Sequence, residues 1–202
     1  MSYKRFTITS LTVIFILLFI AALFNFVVDP LQFYRRASFY QPDFSTEERY
    51  QNPGLAKNFK YDTVIIGTSM TENIVASYVD QKMGVHSLRL SNCGASAKEE
   101  RMIYDIALRT GQVKHVIWGL DFGSLKGIPD RVRDEDVAFP FYLYDTNCLN
   151  DINYILSIST LQSSARIMLN NYRNIPPEHP NHETLNNWMS WSTFGRDILL
   201  KM

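Results

Sequence analysis

Hydrophobic positions along the chain fall into two regimes. The first is unbroken: Phe6 to Val28 is 23 residues without a Lys, Arg, Asp, Glu or His. As a helix it spans about 34 Å at 1.5 Å per residue, enough for a hydrocarbon core of about 30 Å. Phe15, Phe19, Phe24 and Phe26 leave it apolar on every side, as a lipid-facing helix is and an amphipathic one is not. Thr7, Thr9, Ser10, Thr12 and Asn25 are its polar exceptions, and Asp29-Pro30 ends it. The expectation is an anchor crossing the lipid bilayer through residues 6–28. Two readings compete. A cleaved signal peptide needs a shorter apolar stretch and a small-x-small site, which Ala21-Ala22-Leu23 matches poorly. A buried core helix is the other. Lys4 and Arg5 favour a cytoplasmic N-terminus and an extracytoplasmic C-terminal domain, while Arg35 and Arg36 weaken that bias.

The second regime alternates. Residues 29–60 are polar and aromatic, punctuated by Pro42, Asp43, Pro53 and Gly54, and are expected to be an irregular linker packed on the domain edge. From residue 61 onward short apolar runs alternate with helical periodicity. Tyr61–Ile66, Ser87–Ser91 and Lys114–Gly119 read as strands. Thr71–Met83 reads as a helix stopped by Gly84, and Lys98–Arg109 as a helix with Gly111 just beyond and an apolar face of Met102, Ile103, Ile106 and Ala107. Strand, helix, strand, helix, strand with short connections predicts an α/β domain with a parallel sheet over 61–202. After Asp121 comes a loop with the mixed charge run Asp130–Asp136, read as a solvated face. Helical signal returns over 149–173. The Pro/His loop Ile175–His182 then precedes a last helical stretch holding Trp188 and Trp191.

Composition removes several function classes. Lys plus Arg is 20 and Asp plus Glu is 20, so there is no basic excess for nucleic acid. Hydrophobic residues at 46% exclude a disordered chain. Two cysteines, Cys93 and Cys148, exclude a disulfide-dense scaffold and a Cys-only zinc site; outside the membrane they could pair, but spacing alone does not place them within bonding distance. No cofactor or metal motif is present: Gly67-Thr68-Ser69 lacks the G-x-G-x-x-G pattern and a P-loop lysine, so a nucleotide-binding α/β domain is disfavoured.

In a parallel sheet, ligands bind beyond the C-terminal strand ends. Three junctions lie there: Gly67-Thr68-Ser69, Asn92-Cys93-Gly94 and Gly119-Leu120-Asp121. A serine where a strand turns into a helix sits among free backbone N–H groups, which suits a nucleophile whose oxyanion those groups can bind. Ser69-Met70-Thr71-Glu72 is equally a capping box, with Thr68 an alternative cap. Asn92 ends the second strand beside Gly94, whose amide can approach the crevice closely, or else the two form an ordinary tight turn. Asp121 points into the same crevice or caps the next turn.

Together these blocks resemble the SGNH/GDSL hydrolase superfamily. Val64-Ile65-Ile66-Gly67-Thr68-Ser69 is similar to its nucleophile block, Asn92-Cys93-Gly94-Ala95-Ser96 to its second block and Gly119-Leu120-Asp121 to its third. The anchor and Val116–Phe122 are similar to membrane-anchored surface members, among them relatives of alginate O-acetylation proteins and of the D-alanine transfer protein of teichoic acids. The resemblance covers about residues 60–125. It implies a three-layer flavodoxin-like sheet and an acyl-serine at Ser69. It implies Gly94 as an oxyanion N–H and Asp121 at the third-block position. It also implies a cell-surface glycan, or an acyl-donor membrane protein, as partner.

Two departures accompany it. The family has Asn where this chain has Asp121, which when ionised only accepts hydrogen bonds. The family's Asp-x-x-His block is missing, since no Asp here has His three residues later. His86 and His115 fall at the wrong edge of the sheet; His179 and His182 lie in a loop that can reach the crevice or remain a plain surface loop. With three strands visible where the family has about five, the expectation is an incomplete SGNH-type domain, truncated at its C-terminus or a decayed paralogue. The function expected is an esterase or O-acyltransferase on cell-surface glycan esters, inactive or incomplete as this chain. The alternative is a non-catalytic glycan- or partner-binding module of a cell-envelope modification or export complex.

Overall fold

The computed structural model describes residues 3–133 and 138–188 of the chain. It opens with helix α1, Tyr3–Val28, whose only buried residues are Asn25 and Val28. Most of its apolar surface is therefore uncovered by the rest of the protein; Phe15 and Phe19 are each 68% exposed. The helix is long and apolar enough to cross a membrane.

Its C-terminal turn is fastened to the domain. Asp29 takes a left-handed φ of 52°, and its carboxylate accepts the N–H groups of Phe33, Tyr34 and Arg35 at 2.9, 2.8 and 3.0 Å. Tyr154 donates its hydroxyl to the same carboxylate at 2.9 Å. Asn25 Nδ2 donates to the Ile155 carbonyl at 2.8 Å, and the Tyr40 hydroxyl donates to the Val28 carbonyl at 2.8 Å. The Tyr40 and Asn25 bonds satisfy the Val28 and Ile155 carbonyls, which the ends of two helices would otherwise leave open.

The segment read as an irregular linker contains a helix, α2, Glu48–Asn58, with Gln51, Asn52, Leu55 and Ala56 buried. It packs on α4 as part of the main core rather than at its edge. Strand β1, Thr63–Ile66, is buried throughout, as a central strand covered on both faces must be. A 3₁₀ turn, Thr71–Asn73, and helix α3, Ala76–Met83, follow, so the single helix expected from Thr71 is broken at Ile74-Val75. Gly84 closes α3 at φ 68°, as expected.

Strand β2, Ser87–Arg89, helix α4, Ala97–Arg109, and strand β3, His115–Trp118, complete the alternating part. Ser96 N-caps α4 by accepting from the Glu99 N–H. Both β2 and β3 pair parallel to β1, in the order β2-β1-β3, with Val64 opposite Leu88 and Val116. The chain steps from β1 to one side and then crosses β1 to the other. That reversal opens a crevice at the C-terminal ends of β1 and β3.

Short helices α5, Phe122–Leu125, α6, Phe141–Tyr144, and α7, Ile152–Ile155, lead to α8, Ile158–Tyr172, which packs on α1. The core of Val64, Ile66, Leu88, Leu90, Ile103, Ile106, Leu143 and Tyr154 lies between sheet, α2, α4 and this later segment. Burial of each large side chain contributes about 1.5–3 kcal/mol. Among the described residues the sheet has three strands. The stretch with Trp191, the acidic half of the charge run and the final Leu199–Met202 lie outside the described residues.

Candidate functional site

The three junctions meet. Thr68, Ser69 and Met70 after β1, Gly94 and Ala95 after β2, and Asp121, Phe122 and Gly123 after β3 line one open cleft of about 450 Å³, with Arg131 on its rim. Thr71 joins them from beneath. Its hydroxyl donates to the Thr68 carbonyl at 2.8 Å and lies 2.6 Å from Ser91 Oγ. Its methyl occupies the gap between β1 and β3: a Cβ on Gly119 would fall 2.2 Å from Thr71 Cγ2. Glycine at 119 is thus required by close approach.

Ser69 does not form the capping box. The 3₁₀ turn Thr71–Asn73 has Met70 at its cap position and no side-chain cap, and the Glu72 side chain is buried. Among the described residues no group hydrogen-bonds the Ser69 hydroxyl, and no acceptor takes the Ser69 or Gly94 N–H. The Ser69 carbonyl is held by Trp188 Nε1 at 2.9 Å. Gly94 has a left-handed φ of 61°, which presents its amide without a Cβ penalty. A partly exposed hydroxyl that shares a cleft with two unclaimed amides offers the elements of a nucleophile and an oxyanion site.

Asp121 does both things its position allowed. Its Oδ1 accepts the Ser124 N–H at 3.0 Å, capping α5, and its Oδ2 accepts from the Thr68 hydroxyl. The Thr68 bond, then the backbone amides, hold the carboxyl below the usual range. An ionised Asp121 is an acceptor that orients Thr68, not a donor to an oxyanion. Asn92 is off the cleft: it is 1% exposed and its Oδ1 accepts Asn52 Nδ2 at 2.9 Å.

That bond belongs to a clamp absent from the sequence reading. Along one side of α2, Glu48 Oε2 accepts the Cys93 N–H at 2.8 Å, Arg49 Nη2 donates to the Cys93 carbonyl at 2.8 Å, and Asn52 Nδ2 donates to the Ser91 carbonyl at 2.7 Å. Arg49 also pairs with the fully buried Glu99 at 2.8 Å. The turn carrying Gly94 is therefore fixed by a helix rather than left as a loop. The charge run, read as solvated, joins in through its backbone: Ser96 Oγ donates to the Arg131 carbonyl and the Arg133 N–H donates to Glu99.

A second cavity of about 620 Å³ also opens at Ser69, lined by Glu72, Cys93, His179, Asn181, Leu185 and Trp188 among others. Burial pushes the Glu48 carboxyl up to about 8, and the neighbouring Glu72 adds to the shift. Burial raises Glu72 as well. Burial thus favours the protonated form of both carboxyls. Arg89 lies buried against the Glu72 carbonyl and offsets the charge.

The histidines separate by position. His86 and His115 lie at the N-terminal edge of the sheet, as expected. His182 stands edge-on to Phe44 and Phe59 at 5.4 and 5.1 Å, and burial lowers its pKa, so it is a neutral packing residue. His179 is the histidine on a cavity wall shared with Ser69. Cys93 and Cys148 are free thiols. Among the described residues no three His, Cys, Asp or Glu side chains converge as metal ligands. Comparison with protein-family models, curated proteins and solved structures yields no match.

Proposed function

We propose that this protein is a membrane-anchored esterase or O-acyltransferase of SGNH/GDSL type, acting on acyl esters of a cell-surface glycan through Ser69. The observation that carries the proposal is the shared cleft: a free serine hydroxyl at the end of β1 beside the unclaimed amides of Ser69 and Gly94. In the proposed reaction the Ser69 oxygen attacks the ester carbonyl and the two amides bind the oxyanion. The alcohol leaves, and water or a second hydroxyl then takes the acyl group. His179, across the adjoining cavity, is the candidate proton acceptor. The order β2-β1-β3 fits a flavodoxin-like sheet.

The anchor belongs to the same proposal. The uncovered apolar surface of α1 is stable in lipid and costly in water. With Lys4 and Arg5 inside, the domain faces outward, where surface polymers are.

The test is hydrolysis of an aryl acetate by the full chain in detergent or vesicles. Ser69→Ala falls to the solvent rate, and Gly94→Ala, which strains a left-handed residue and shifts its amide, loses on the order of 10²–10³ in rate. Hydrolysis untouched by Ser69→Ala ends the proposal. One observation favours a second reading: no described side chain hydrogen-bonds the Ser69 hydroxyl to activate it. A glycan-binding module without catalysis keeps its glycan affinity in Ser69→Ala and shows no hydrolysis in either form.

A further inference from the structure

From Asp145 to Arg166 the chain carries a single charged side chain between those two, Asp151. Asp151 is half-buried and interacts with Tyr34 and Lys57. Four large apolar side chains are exposed among uncharged polar ones such as Asn147 and Asn153: Leu149 is 81% exposed, Ile152 55% and Ile158 73%, with Leu156 beside them. Ile152 is in α7 and Ile158 opens α8, while Leu149 lies in the turn before α7 and Leu156 just after it. The same edge is bonded to the anchor, because the Ile155 carbonyl receives Asn25 Nδ2 in the last turns of α1. The apolar edge therefore lies next to the end of α1, which contacts both α7 and α8.

The level of that junction is marked by polar groups suited to lipid head groups. Arg35 Nη2 donates to the carbonyls of Phe26 and Val27, and its guanidinium stacks over the Phe26 ring at 4.7 Å. Tyr34 packs on the same ring at 5.0 Å. An arginine and a tyrosine at the end of an apolar helix are the side chains favoured at the membrane–water boundary. Around the edge, Ser157, Ser159 and Gln162 are uncharged hydrogen-bonding groups.

We infer that the α7–α8 edge rests in the head-group layer of the same bilayer that α1 crosses, with Leu149, Ile152 and Ile158 inserted. The domain is then held at two places and keeps one orientation to the membrane. A single flexible tether would leave the edge in water, where an apolar patch of this kind invites association. The inference rests on α1 being in lipid, and its test separates the two.

The full chain is placed in vesicles of phosphatidylcholine with one quarter phosphatidylglycerol. In a Cys93→Ser background, nitroxide is attached at native Cys148. In a background lacking both cysteines it is attached at Ile158→Cys, Tyr172→Cys or Phe15→Cys. Collision with oxygen, concentrated in lipid, is compared with collision with a nickel chelate, confined to water. The labels at 148 and 158 give oxygen-to-nickel ratios several-fold above that at 172, and the label at 15 gives the highest. Leu149→Asp returns the label at 158 to the value at 172 while the label at 15 stays unchanged. Water-like ratios at 148 and 158 with a lipid value at 15 overturn the docked edge and leave the anchor. A water-like ratio at 15 overturns both. Spin–spin broadening between protomers at 158 assigns the edge to a second copy of the chain and also overturns the inference.

Discussion

Thr71 binds the site together from one side chain. Its hydroxyl links the end of β1 to Ser91 beyond β2, and its methyl seats against Gly119 beyond β3. Thr71→Val keeps the shape and removes the hydroxyl, leaving the Thr68 carbonyl and Ser91 Oγ without that partner. The expected loss is about 1–3 kcal/mol. Thermal unfolding in detergent reads it as roughly 2–4 °C per kcal/mol for a domain of this size. Glu48 gives a pH signature. Its folded pKa of about 8 lies above the ordinary value of 4.5. The folded state therefore binds more protons than the unfolded state between those values, and stability, full below them, falls as pH rises through the window. Glu48→Gln mimics the protonated acid, still accepts the Cys93 N–H and flattens that fall; unfolding midpoints measured across the window at fixed salt compare the two. At this scale the sequence identified Ser69, Gly94 and Asp121 as cleft residues. It missed Thr71 and the burial of Glu72, because a Ser-x-x-Glu spacing reads identically whether the glutamate caps a helix or pairs with a distant carboxyl.

Among elements, α2 departs most from its sequence. Pro53 and Gly54 read as breakers, yet both lie inside an eleven-residue helix. Gly54 is there because the chain after the anchor crosses it: a Cβ would fall 2.2 Å from the Leu31 carbonyl oxygen. The helix is polar in composition because Glu48, Arg49 and Asn52 on its buried side hydrogen-bond the Ser91–Cys93 turn, leaving only Leu55 and Ala56 as fully buried apolar contacts to the core. No apolar periodicity could have revealed it. Strands β1 and β3 and helix α4, by contrast, were legible, since their signal is local: β-branched runs and an apolar face ended by glycine. The clamp makes Asn52 a positioning residue for the cleft. Asn52→Ala removes two buried bonds and costs about 1–3 kcal/mol. Backbone hydrogen exchange at Asn92–Ala95 speeds up in this variant, while exchange in α8 does not change.

At the scale of the molecule, an apolar helix, a buttressed α/β core and an open cleft are consecutive. Hydrogen bonds from Asn25 to Ile155 and from Tyr154 to Asp29 tie the end of α1 to α7, and Tyr40 closes back on Val28. In the proposed function, this tie would hold the cleft near the membrane, which is why the tether and the serine are proposed together. Sequence periodicity showed the apolar helix and the alternating domain; their fastening depends on contacts more than a hundred residues apart, such as Asn25 with Ile155, which no local pattern encodes. The most direct test is covalent. The full chain in vesicles is treated with a fluorophosphonate and digested, and the modified peptide is identified by mass. The account predicts one adduct, on Ser69, absent from the denatured protein and from Ser69→Ala. An unmodified Ser69 peptide in the folded protein, with or without an adduct elsewhere, contradicts it.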